Sequence, residues 1–102
     1  MKQIGVGILG FGTVGAGVAD GLIKHREVMA KRLNVDIVLK KIADLDITTP
    51  RGIEVPSEVL TTDAPAVIAD DSIQIVVETI GGTGVARKFV LDALNAKKCV
   101  VT

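Results

Sequence analysis

Three glycines in the stretch GVGILGFGTVGAG are spaced for chemistry: Gly10, Gly12 and Gly15. They read G-x-G-x-x-G, and their neighbours give that spacing a use. The apolar run Ile4 to Leu9 precedes them, and a segment with apolar residues at helical intervals follows. Between a strand and a helix, Gly10 allows the tight turn out of the strand. Gly12 has no Cβ, so backbone there can approach a diphosphate, and Gly15 lets the helix lie close on the strands. The helix start then offers unpaired N–H groups and about half a positive charge to the phosphates. Strong apolar periodicity on both sides excludes a flexible linker. A Walker-type phosphate loop is excluded as well, because no Gly-Lys-Ser/Thr follows.

A dinucleotide turn of this kind expects an acidic residue at the end of the second strand, to bond the adenosine ribose. Asp44 stands there, 29 positions after Gly15 (44 − 15), against an expected spacing of about 20. A first helix of about 20 residues, longer than the usual 11–12, accounts for the difference. Asp46 is the competing carboxylate, and the plain alternative is that Asp44 merely opens a polar loop. A carboxylate about 4 Å from a 2′-phosphate costs on the order of 1–4 kcal/mol, which favours NAD. Lys40, Lys41 and Arg51 lie near in sequence, and an arginine at 51 can reach a phosphate, so both NAD and NADP stay open.

A second glycine cluster, TIGGTG, follows the run Ile73 to Glu78. In a doubly wound sheet, Thr79 to Gly82 face the first glycine turn across the crevice, where Ile80, Gly81 and Gly82 let backbone approach the nicotinamide half. The alternative is an ordinary strand-to-helix turn. Other chemistry finds little support. His25 lies mid-helix, away from both turns. One His and one Cys do not make a metal set, and no Ser or Cys nucleophile has a base nearby. Cys99 sits in the apolar run KKCVVT and reads as a buried, reduced thiol of a cytoplasmic protein.

The elements that must hold these residues follow from the pattern. The 102 residues are enough for one domain, and 48% are hydrophobic with only two Phe and no Trp or Tyr, so the core is aliphatic. Twelve basic residues balance twelve acidic ones, which argues against nucleic acid or an anionic membrane as partner. No apolar run reaches the roughly 18 residues of a membrane span, and Met1 leads straight into a strand pattern without a leader.

Ile4–Leu9 reads as a strand buried on both faces. A helix is expected from about Thr13 to Leu33, its stripe running through Val14, Val18, Leu22, Met29 and Leu33, and Asn34 is its stop. Gly17 and Gly21 lie on it, as residues for close helix–sheet packing. Val35–Ala43 is the second strand, and 44–57 is a Pro- and Gly-broken loop. Leu60–Thr62 is a short strand, and Asp63 caps a brief helix over 66–69. The strand Ile73–Glu78, a helix Val85–Lys97 and a strand from Cys99 complete the chain. Alternation of strand and helix predicts an α/β fold: a Rossmann-type doubly wound parallel sheet in three layers, α/β/α.

With these segments placed, the sequence resembles the amino-terminal part of homoserine dehydrogenase. The likeness is carried by GILGFGTVGAGV, KKIADLDITTPRG, LTTD, IVVETIGG and KKCVVT, in that order, over nearly the whole chain. It implies an NAD(P)-binding domain over residues 1–102 of an oxidoreductase interconverting L-homoserine and L-aspartate 4-semialdehyde, on the route to threonine and methionine. It implies also that Phe11, Thr13 and Val14 belong to the cofactor-contacting loop. The resemblance implies a homo-oligomer for the full-length enzyme, and the family's substrate and dimerisation domain, which carries its catalytic residues, lies outside these residues. So do the last strand or strands of the full sheet. The residues present are therefore expected to bind the dinucleotide without turning over substrate. The competing readings are a non-catalytic NAD(H)-sensing domain and an S-adenosylmethionine-binding domain.

Overall fold

The computed structural model describes residues 1–81 and 84–102. In chain order the elements are β1 (Lys2–Leu9), α1 (Thr13–Lys24), α2 (Arg26–Leu33), β2 (Val35–Ala43), a 3₁₀ turn at Ser57–Val59, β3 (Leu60–Thr61), α3 (Ala64–Ala69), β4 (Ile75–Glu78), α4 (Val85–Asn95) and β5 (Cys99–Val101). The strands form one parallel sheet in the order β3-β2-β1-β4-β5. The order reverses direction between β1 and β4, so their carboxyl ends open a crevice.

β1 occupies the centre, and its alternation builds two cores. Val6 and Ile8 face one side with Phe11, Ala16, Ala19 and Ile42, under α1. Leu9 faces the other with Val67, Ile68, Ile73, Val76 and Ala93, under α3 and α4. The sheet is thus covered on both faces, as its continuous apolar strands require. β1 and β2 run in register from Lys2↔Val35 to Val6↔Leu39; then Gly7 pairs with Lys41, leaving Lys40 as a bulge.

Several expectations are revised. The single helix from Thr13 to Leu33 is two helices, broken at His25 (φ −105°, ψ 12°). The halves have different anchors. α1 buries Gly15, Ala16 and Ala19, whereas α2 has no fully buried residue and is tied to β2 by the Arg26 guanidinium, which meets both oxygens of Asp36 at 2.7 Å. The expected apolar stripe holds at Val18 and Leu22, which pack against the core, but Val14 is 66% exposed and Leu33 is exposed, and the small residues Gly15, Ala16 and Ala19 fill the buried positions of α1. Gly17 and Gly21 do not pack on the sheet, since a Cβ at either would meet nothing within 4 Å. Cys99 is exposed, because β5 is an edge of this sheet. Two helix ends behave as the sequence indicates: Asn34 stops α2 in the left-handed region (φ 57°), and the Asp63 carboxylate accepts the Ala66 N–H at 3.0 Å to cap the start of α3.

Candidate dinucleotide-binding site

The glycine turn leaves β1 through Gly10, whose φ of +104° a side chain would strain. Its N–H is held by the Ala43 carbonyl at 2.8 Å. Each motif glycine has a distinct environment. A Cβ on Gly15 would overlap the Gly10 carbonyl oxygen and lie 2.9 Å from Thr79 Oγ1, so here the turn and α1 touch. A Cβ on Gly12 would meet nothing within 4 Å, which leaves open space over the backbone. No side chain caps α1 at Gly12, and its first turn holds no acidic residue. The first-turn N–H groups therefore face that space with their dipole uncompensated, a fit for a diphosphate. Thr13 and Val14 are exposed beside it.

Asp44, at the end of β2, is joined to this turn. Its Oδ2 accepts the Phe11 N–H at 2.6 Å and its Oδ1 accepts the Asp46 N–H at 2.9 Å. The Phe11 amide is thus engaged by the carboxylate rather than free for a phosphate, and the open donors begin after it. The Phe11 side chain is buried beneath α1. Asp46 has a different task. It accepts both the N–H and the hydroxyl of Thr49 and of Thr48, and these bonds, the Thr49 hydroxyl foremost, hold its carboxyl far below the usual range. Its acceptor sites are filled by its own loop, which leaves Asp44 facing the crevice. α2 accounts for the long interval between Gly15 and Asp44.

Arg51 lies against this corner. It donates to the Asp46 carbonyl at 2.9 Å, stands 3.9 Å from Asp44 Oδ1 and 3.6 Å from Asp46 Oδ2, and rests over the Phe11 ring at 5.7 Å. Its Nε is buried without a partner among the described residues.

From the other side, Thr79 fastens the end of β4 to the first turn. Its hydroxyl is shared between the Leu9 and Gly10 carbonyls at 3.1 and 3.0 Å, and its N–H donates to Leu9 at 2.9 Å. Ile80 and Gly81 follow at the crevice, exposed; Gly82 lies outside the described residues. A cleft of about 470 Å³ joins the two turns, with Asp44, Leu45, Pro65, Ile80 and Phe89 in its wall. It is mostly apolar, with few polar groups, as sites for flat ring ligands are.

Sequence reasoning missed Glu78. It is 7% exposed, the one charged residue buried among those described. Burial pushes its carboxyl up, but the Gly81 N–H (2.9 Å), the Thr102 hydroxyl (2.8 Å) and the Ile80 N–H outweigh that and hold it below the usual range. The available signal was a carboxylate closing an otherwise apolar strand, IVVE, directly before a glycine turn.

A parallel sheet ordered 3-2-1-4-5, with an uncapped helix start and a carboxylate flanking the switch point, defines a dinucleotide-binding domain of the Rossmann type. Known proteins make this specific. The family described as "Homoserine dehydrogenase, NAD binding domain" matches residues 10–102. The chain belongs to that family. The homoserine dehydrogenase of Bacillus subtilis is 39% identical over 102 residues, covering 100% of this chain and 24% of that protein. That of Methylobacillus glycogenes is 42% identical over 102 residues, with 25% of its length covered. A crystal structure of S. aureus homoserine dehydrogenase superposes with a TM-score of 0.90 at 35% identity, over 97% of this chain and 26% of that one. The chain thus spans about a quarter of the length of the relatives it matches. These matches bear out the reading of a dinucleotide-binding domain of this family. No described helix is long and apolar enough to cross a membrane.

Proposed function

We propose that residues 1–102 are the NAD(P)-binding domain of an enzyme that interconverts L-homoserine and L-aspartate 4-semialdehyde, a cytoplasmic step toward threonine and methionine, catalysed by a homo-oligomer. The observation that carries this reading is the open backbone at Gly12, beside an uncapped helix start and the Asp44 carboxylate. When bound, the nicotinamide group supplies hydride transfer. The chain's own residues bind and orient: the amides after Phe11 take the diphosphate, Asp44 takes the ribose hydroxyls, and Ile80 and Gly81 border the nicotinamide half. Residues 1–102 alone bind the cofactor and do not oxidise homoserine.

Both NAD and NADP fit this site in our reading. Asp44 alone would repel a 2′-phosphate, but Arg51 at 3.9 Å offsets its charge and offers a guanidinium to a phosphate. Titration with NADH, NADPH and S-adenosylmethionine tests both points. NADH and NADPH should bind and S-adenosylmethionine should not. Arg51→Ala should weaken NADPH about tenfold or more while leaving NADH within about twofold. Equal losses for the two dinucleotides would refute the role given to Arg51, and binding of S-adenosylmethionine alone would refute the cofactor reading.

A further inference from the structure

Glu78 is a buried carboxylate that the binding scheme above leaves unused. Among the described residues no basic side chain stands within ion-pair distance of it. Burying such a charge is costly unless hydrogen bonds satisfy it. Its donors come from two separate places: the Gly81 N–H in the turn after β4, and the Thr102 hydroxyl just beyond β5. Gly81 adjoins Ile80, whose side chain is part of the cleft wall. An apolar side chain at position 78 would end the strand without the burial cost, and would leave the Gly81 N–H and the Thr102 hydroxyl without their shared acceptor.

We infer that Glu78 is a positioning residue for the nicotinamide half of the cofactor: its carboxylate clips the Ile80–Gly81 backbone to the end of β5 and so fixes the crevice wall opposite the glycine turn. This rests on the dinucleotide reading of the crevice. It also divides the site. The adenosine half depends on Asp44 and the turn after β1, neither of which is hydrogen-bonded to the Glu78 carboxylate, while the nicotinamide half depends on the clip.

The test compares NADH with ADP-ribose, which keeps the diphosphate and both riboses and lacks only the nicotinamide. Both are titrated into the wild-type protein and into Glu78→Ala, Glu78→Gln and Thr102→Val. Glu78→Ala should weaken NADH about tenfold and ADP-ribose by less than about twofold. Glu78→Gln keeps a carbonyl acceptor for the Gly81 N–H and should recover most of the loss. Thr102→Val removes one strand of the clip and should weaken NADH by a smaller factor, again sparing ADP-ribose; this milder variant decides the matter should Glu78→Ala fail to fold. Parallel losses for both ligands, or no loss for either, overturn the inference. A wild-type protein that binds neither ligand overturns the dinucleotide reading instead.

Discussion

Gly12→Ala and Gly15→Ala differ by one methyl group from the same turn, and the structure predicts opposite consequences for them. At Gly15 the new Cβ would overlap the Gly10 carbonyl oxygen and press to 2.9 Å on both its carbon and Thr79 Oγ1. Two of these atoms are backbone and the third is hydrogen-bonded to it, so no flexible side chain can yield. Overpacking of this kind costs about 1–3 kcal/mol, and the rigidity of the neighbours puts Gly15→Ala near the top of that range. In a domain of this size about 3 kcal/mol lowers Tm by roughly 12–24 °C. At Gly12 the Cβ enters open space, and φ −78°, ψ −160° suits alanine. Its effect on Tm should stay within a few degrees. Its effect on binding should be large, because a methyl there stands the diphosphate off the backbone. Loss of even one charge-assisted hydrogen bond, about 1.5–3 kcal/mol, weakens Kd roughly 10- to 150-fold. Circular-dichroism melts and NADH fluorescence titrations read the two quantities separately. A Gly12→Ala protein that binds NADH like wild type would refute the placement of the diphosphate. A Gly15→Ala protein that melts like wild type would refute the packing argument.

Gly17 and Gly21 carry helix-propensity cost with no packing return, so alanine at each should raise Tm, by about 4–8 °C per kcal/mol gained; a fall in Tm at both would show that their lack of side chains is needed. Acid should destabilise the fold in a defined direction. The Asp36 carboxyl (through Arg26), Asp46 (through Thr49) and Asp70 (through Ser72) are held below the ordinary aspartate value of 3.8, and Glu78 below 4.5. Groups lowered in this way give their full stabilisation above those ordinary values and lose it as pH falls below them. The urea midpoint should therefore be level from about pH 7 to 5 and decline below about pH 4.5, with a shallower decline in Asp46→Asn. A midpoint that rises on acidification would contradict the hydrogen-bond assignments.

What could be read from the sequence was whatever depends on local chemistry. β2 falls on Val35–Ala43 as its β-branched run indicates, Asn34 and Asp63 stop and start helices as their side chains favour, and the glycine turn joins β1 to α1. Errors arose where the deciding partner is distant in sequence. The break at His25 parts α1, whose small residues pack on the sheet, from α2, which the Arg26–Asp36 pair ties to β2. On α1 the expected stripe holds at Val18 and Leu22 but fails at Val14, because close approach to the sheet selects Gly15, Ala16 and Ala19 over that larger residue. Cys99 looked buried from its apolar neighbours, yet only strand order reveals that β5 lies at an edge. In the site, Asp44 and Asp46 were equivalent by spacing. Their difference is geometric: one reaches across 33 positions to Phe11, the other folds back on Thr48 and Thr49.

The bond from the Thr79 hydroxyl to the carbonyls of Leu9 and Gly10 welds the mouths of two neighbouring strands into one rim. The width of the mouth is then a property of the folded sheet, already set before any guest arrives. Ordering entropy at this seam is met during folding, so docking of the adenosine half proceeds onto a rim that is already fixed. The same weld makes the seam vulnerable: a lesion that loosens β1 from β4 would spread the rim and abolish recognition while most of the helices remained in place.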